Sequence, residues 1–301
     1  MKHTLRIICT VICTLILSAI SVAAAEPYVA YWSFDTDAVE EINGYTPSNP
    51  EALTLAEGKN GKAYGGAGED GLGSICYDDV DIPLTGNFTV SAWVKGDFDV
   101  ENGSYFVFMA KNAKSTDGHF ELYWFPAGTL GAYATNADEA CNLQSDAPFD
   151  DAAWHHLCVR AENGVYTMYV DGAVSHTFEG TALNRAAGTL AFGSLADGSL
   201  PCRSYVDDMF MTDTLIPEAD VAKLMEDTKT YAYTLSGKTS VSAEAEKPEA
   251  NEAPAEAETL VKTEADPVPV AAPQTADGGI LPAVGAILSF AAVIHSRKKY
   301  R

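Results

Sequence analysis

The side chains whose types and spacing could do chemistry fall into a few clusters. Asp97-Phe98-Asp99-Val100-Glu101 alternates acid with apolar. On a strand that alternation would set the three carboxyls on one face, and a retaining glycosidase needs two carboxyls about 5 Å apart. Gly96, Asn102 and Gly103 flank the run, so it reads as a loop between strands and no catalytic residue is expected in it. It fails as an EF-hand too, because Asn102 stands where the loop glycine belongs and Phe108 where the final Glu belongs. Asp207 and Asp208 are neighbours in a β pattern. A period of two puts Asp207 with Met209 and Met211, and Asp208 with Val206 and Phe210. Each carboxyl then has apolar company, and a shielded one needs hydrogen bonds or a metal. His155 and His156 have the chemistry of general bases, but they follow Trp154 at a strand entrance and are read as scaffold. Tyr123-Trp124-Phe125, next to a Pro-Ala-Gly turn, and Tyr133 offer rings that pack against sugar C–H faces. Tyr123, Trp124 and Tyr133 are the candidate ligand-binding residues. The alternative is that consecutive aromatics are one core residue and one exposed neighbour.

Positioning such residues is the work of short β patterns punctuated by turns. They run over 28–34, 88–94, 105–110, 119–124, 130–135, 154–160, 165–170, 173–178, 190–192 and 205–211. Asp171-Gly172 between two of them is a two-residue hairpin signal. Many short strands at such spacing predict an all-β sandwich, with Trp93 and Trp154 filling an inter-sheet core. Only Pro217 to Met225 has a helical pattern, with Pro at the first turn and Val221, Leu224 and Met225 on one face.

A formal net charge of −23 excludes a general affinity for nucleic acid or anionic lipid through a basic surface. It leaves open a neutral glycan or a cationic partner. Of six cysteines, Cys9 and Cys13 lie in the first 25 residues. Cys76, Cys141, Cys158 and Cys202 allow three disulfide pairings among which sequence does not choose, and their spacings do not suit zinc. Cys158, within a strand pattern, can equally be a small buried hydrophobe.

The two ends carry signals of another kind. Lys2 and Arg6, the apolar run 7–20 and Ser21-Val22-Ala23-Ala24-Ala25 predict a secretory signal peptide over 1–25. Residues 26–236 hold the β patterns. Residues 237–271 are rich in Ala, Glu, Pro and Thr without aromatics, a composition that predicts a disordered, extended linker. Residues 272–301 read Ala272-Pro273-Gln274-Thr275-Ala276, then an apolar run broken by Pro282 and Gly285, then Arg297-Lys298-Lys299-Tyr300-Arg301. That run is short for a membrane span, and the basic end would stay cytoplasmic. The order resembles the cell-wall sorting signal of Gram-positive surface proteins. There a sortase cuts after the Thr of a Leu-Pro-X-Thr-Gly-like pentapeptide and joins it to peptidoglycan. The match is Pro273, Gln274 and Thr275; Ala272 and Ala276 depart from it. The resemblance implies a transient sortase partner, a covalent link through Thr275 and a place at the cell surface. An ordinary tail anchor is the alternative.

Four segments in order resemble the laminin-G-like, concanavalin A-like domain of bacterial surface proteins and glycan-active enzymes. They are Tyr31-Trp32-Ser33-Phe34-Asp35; Phe88 to Lys95; Trp154-His155-His156-Leu157 with Met168-Tyr169-Val170-Asp171-Gly172; and Tyr205-Val206-Asp207-Asp208 through Leu215. Gly61 to Ala67 fits an early glycine-rich turn and strand. The resemblance implies a two-sheet antiparallel jelly-roll sandwich with one short C-terminal helix. It also implies a structural Ca²⁺ between the first and last strands, with Asp35 and Asp207 as metal ligands. Hydrogen-bonded carboxylates are the alternative. Related glucanases carry a Glu-X-Asp-X-Glu strand, from which Asp97 departs. The expected role is non-catalytic recognition of a glycan or matrix protein. A glycoside hydrolase and a structural surface component without ligand are the other two readings.

Overall fold

Short alternating strands build two antiparallel sheets in the computed structural model. It describes residues 25–239 except 68–72, 97–105, 115, 126, 137–138, 150 and 185–187. All lie in the compact unit Met1–Ala245. The signal segment up to residue 24, the linker beyond Thr239, the pentapeptide Ala272 to Ala276, and Asp97, Asp99 and Glu101 lie outside the described residues. No helix among the described residues is long and apolar enough to cross a membrane.

The strands are β1 (Val29–Trp32), β2 (Leu55–Glu57), β3 (Lys62–Tyr64), β4 (Ile75–Val80), β5 (Asn87–Lys95), β6 (Phe106–Lys111) and β7 (His119–Trp124). They continue with β8 (Leu130–Asn136), β9 (Glu139–Gln144), β10 (His155–Glu162), β11 (Val165–Val170), β12 (Ala173–Glu179), β13 (Gly188–Phe192) and β14 (Tyr205–Thr212). One sheet runs β12-β11-β10-β5-β14-β3-β2, with β1 also on β14; the other runs β4-β13-β6-β7-β8-β9. β1 lies along β14 from Val29 opposite Thr212 to Trp32 opposite Met209, so the first and last strands touch. Asp171 and Gly172 both take positive φ, 51° and 78°, as a two-residue turn between right-twisted strands requires.

The inner faces meet in one core. Phe88 packs on Phe120 at 5.4 Å and Trp32 on Phe192 at 5.4 Å, edge to face across the sheets. Trp93 and Trp154 are not in that core. In β5 the residues Val90, Ala92 and Val94 point inward, so alternation turns Trp93 outward, against the His156 ring at 5.3 Å and beneath the Lys59 ammonium at 4.4 Å. Trp154 is half-buried beside Tyr205 at the strand entrance. The tryptophans inside are Trp32 and Trp124.

Two helices, α1 (Val221–Glu226) and α2 (Thr228–Ser236), follow the last strand. Val221, Leu224 and Ala232 cover Val29, Tyr31, Cys158, Tyr169 and Phe210, the outward residues of the larger sheet. The second helix corrects the single-helix expectation. Its residues, Thr228 to Ser236, lack a clear apolar stripe, but its ends are marked: the Asp227 carboxylate accepts from Thr230 N at 2.9 Å, and Gly237 follows at φ 67°.

Candidate functional site

Among the described residues no helix covers the outer face of the smaller sheet, and its strands leave an open cavity of about 300 Å³ lined by Lys114, Glu121, Tyr123, Phe125, Tyr133 and Asn142. Strand register explains the set. Glu121 of β7 lies opposite Tyr133 of β8, and Tyr133 opposite Asn142 of β9, so the three form one cross-strand row. Tyr123, two residues after Glu121, shares its face, and Phe125 adds a ring at 5.0 Å and 80°. Tyr123 lies opposite Gly131. Its ring rests on that glycine so closely that a Cβ there would collide with it. The Tyr123 hydroxyl donates to Asn142 Oδ1.

Glu121 is 1 % exposed. His119 Nδ1 stands 3.0 Å from the carbonyl oxygens of Lys111 and Asn112, so that nitrogen carries a proton and donates. His119 Nε2 stands 3.1 Å from Glu121 Oε2. The buried His119 ring thus links the Lys111–Asn112 backbone to the neighbourhood of Glu121 Oε2. Glu121 also lines the cavity, so its carboxyl stands where a ligand donor could meet it.

Of the rings expected to form a sugar platform, Tyr123 and Tyr133 line this cavity and Trp124 does not. Trp124 is 1 % exposed in the inter-sheet core, because neighbours along a strand face opposite ways. Glu121, Asn142, Phe125 and Lys114 were missed. The period-two run Glu121, Tyr123, Phe125 was the legible signal for two of them; Lys114 and Asn142 arrive from other segments of the chain.

Asp35, Asp207 and Asp208 gather around residues 58–62. Lys62 N donates to Asp35 Oδ1 at 3.0 Å, Asn60 N to Asp207 Oδ2 at 2.9 Å, and Asn60 Nδ2 to Asp208 Oδ2 at 2.7 Å. Tyr31 OH donates to Asp208 Oδ1. The two acids do not face opposite ways as strict alternation predicts. Val206 and Met209 both point into the core, Asp208 takes φ 48°, and the pairing with β5 slips between Asp207 and Phe210. This is a β-bulge, which sends both carboxyls outward. Burial first, then Asp208, pushes Asp207 up to about 7; burial also raises Asp208, against the bonds from Tyr31 and Asn60. Asp207 Oδ1 is buried without a hydrogen bond.

Among the described residues, no group of three or more His, Cys, Asp or Glu converges as a metal cluster. The donors here are instead Asp207 Oδ1, Asp35 and the oxygens of Asn60 and its loop. An all-oxygen set with an orphaned carboxylate oxygen fits Ca²⁺. Such an ion, held by Asp35 and Asp207, would supply charge neutralisation where an exposed and a buried carboxylate face one loop.

His155 joins Asp171 Oδ2 at 2.8 Å and Asp151 Oδ1 at 2.9 Å, tying the strand entrance to the hairpin turn. His156 is fully buried, with neither ring nitrogen hydrogen-bonded.

The chain belongs to the concanavalin A-like lectin/glucanases superfamily, whose family pattern matches residues 69–222. Among solved structures it is similar to domain 4 of an extracellular arabinanase from Geobacillus stearothermophilus, in complex with arabinotriose. That likeness has a TM-score of 0.51 and 18 % identity, over 66 % of this chain and 99 % of that one. It is also similar to the binding domain of Paraclostridial Mosquitocidal Protein 1, with TM-score 0.53 and 13 % identity, over 67 % of this chain and 52 % of that one. A third likeness is the botulinum neurotoxin serotype D ligand-binding domain in complex with N-acetylneuraminic acid, with TM-score 0.50 and 11 % identity, over 67 % of this chain and 50 % of that one. The match thus spans about half of each toxin domain. No curated protein sequence matches the chain. These identities speak to the fold.

Proposed function

We propose that this is a cell-wall-anchored surface protein whose sandwich binds a carbohydrate and does no chemistry on it. The observation that carries the reading is the cavity on the smaller sheet, where the carboxyl of Glu121, 1 % exposed, sits among three aromatic rings and an amide. Few placed polar groups within an aromatic lining is the usual build of a small-ligand site. Two of the similar structures hold sugars, arabinotriose and N-acetylneuraminic acid. Among the described residues the lining has one carboxyl group, whereas glycosidic hydrolysis needs two. Export, sortase recognition and a peptidoglycan link through Thr275 rest on the terminal signals, and a structural Ca²⁺ rests on Asp35 and Asp207.

A glycan array probed with the purified protein, with and without calcium, tests the binding reading: retention on some glycan is expected, and a blank array rejects it. Release of reducing sugar from laminarin or xylan would move the protein to the hydrolases. For the anchor, Thr275→Ala should shift the protein from the wall fraction to membrane or medium; unchanged wall linkage would refute sorting.

A further inference from the structure

We infer that the cavity is built for the acetamido group of an N-acetylated amino sugar. The inference rests on the reading of this cavity as the carbohydrate site. A stacked pyranose wants one broad ring face open to solvent, and the cavity does not offer it. Tyr123 is 2 % exposed, with one ring face laid on Gly131 and Phe125 set nearly perpendicular to it. Tyr133, half-buried, is the third ring. Perpendicular rings make a corner, and a corner takes a compact apolar knob such as a methyl group.

The polar groups complete the match. The Glu121 carboxyl, 1 % exposed, supplies an acceptor at the buried end. Asn142 Oδ1 is already engaged by the Tyr123 hydroxyl, which leaves Asn142 Nδ2 as a donor, and the exposed Lys114 is a second donor. A secondary amide presents one N–H and one carbonyl on opposite sides. Bonded at both ends it spans about 8 Å from acceptor to donor, two hydrogen bonds of about 2.9 Å plus its own width. Glu121 and Asn142 stand on strands two apart, separated by about 9–10 Å at the backbone, with Tyr133 between them. An amide N–H directed at Glu121, its carbonyl at Asn142 or Lys114, and its methyl in the ring corner would use every group in the lining. A hydroxyl could meet Glu121 but would leave the corner unfilled.

The test is competition calorimetry on the purified protein with N-acetylglucosamine and N-acetylgalactosamine, their parent hexoses, and glucosamine. Sites that hydrogen-bond a specific group discriminate strongly against analogues lacking it. The acetylated sugars should bind at least tenfold more tightly than the parent hexoses and glucosamine, and Asn142→Ala and Phe125→Ala should each erase most of that preference. Hexoses binding within twofold of their acetylated forms would overturn the acetamide assignment while leaving carbohydrate binding intact. Glucosamine binding most tightly would overturn it in favour of an ammonium site. A preference that survives both substitutions would overturn it by placing the acetamide elsewhere. No binding by any sugar would overturn both this inference and the reading beneath it.

Discussion

The two sheets of the sandwich alternate in the same way but spend their outward residues differently. On the larger sheet the outward residues Tyr31, Tyr169, Phe210 and Cys158 are apolar or bulky, and α1 and α2 cover them. On the smaller sheet the outward row is Glu121, Tyr133 and Asn142, with Tyr123 beside it, and a cavity opens there. One face has been used to extend the core and the other kept for a ligand. Substitutions should therefore separate cleanly: the covered face sets stability, and the open face sets binding.

The largest effect is expected on the covered face. Phe210 is fully buried and packs on Tyr231 at 6.0 Å. Phe210→Ala should cost about 3–5 kcal/mol, read as a lower denaturation midpoint with ligand affinity per folded molecule unchanged. A loss under about 1 kcal/mol would mean that the helices do not seal this sheet.

Next comes the histidine pair, which opens β10 of the larger sheet. Burial lowers His156 to about 4. The unfolded chain therefore binds a proton that the fold refuses between about pH 6.5 and pH 4, so stability present above 6.5 is lost on acidification, on the order of 3 kcal/mol in full. Burial also pulls on His155, but Asp171 and Asp151 outweigh it and raise its pKa. Its contribution has the opposite sense, present below about 6.5 and lost as pH rises through the raised value. Thermal melts of wild type and His156→Leu from pH 7 to pH 4.5 isolate the first effect. The variant should lose less stability on acidification; parallel curves would show that His156 is not buried neutral.

Calcium should act at the margin of the same sheet. An ion bound by the folded state adds about 2.7 kcal/mol at a hundredfold excess over its dissociation constant. The melting temperature should rise in millimolar calcium relative to chelator, and Asp207→Ala should abolish the rise. Melting curves unmoved by chelator would leave Asp35 and Asp207 as hydrogen-bonding groups alone.

How much of this was legible in the sequence follows from what each sheet asks of its residues. The strands from Phe88 to Val94, His119 to Trp124 and Val165 to Val170 showed themselves through their β-branched and aromatic residues, even though the first two are buried on both faces. β2, β4 and β9 did not: Ile75-Cys76-Tyr77-Asp78-Asp79-Val80 and the short Leu55-Ala56-Glu57 are edge or near-edge strands with weak alternation. The meeting of Asp35 and Asp207 near one loop could be anticipated from the resemblance, but the bulge at Asp208 could not, since a positive φ at a non-glycine residue leaves no mark in composition. The cavity was half legible. Tyr123 and Tyr133 stood out as aromatics, whereas Glu121 acquires its meaning from burial and from His119, which depend on the register of β7 against its neighbours.

The central claim, that the open face binds and the covered face does not, is tested most directly by titrating Tyr133→Ala with the best ligand from the array. Tyr133 is half-buried at the centre of the row and outside the inter-sheet core. The affinity should fall at least tenfold, about 1.4 kcal/mol, with the denaturation midpoint nearly unchanged. Affinity within twofold of wild type in the folded variant would contradict the account and place the ligand on another face.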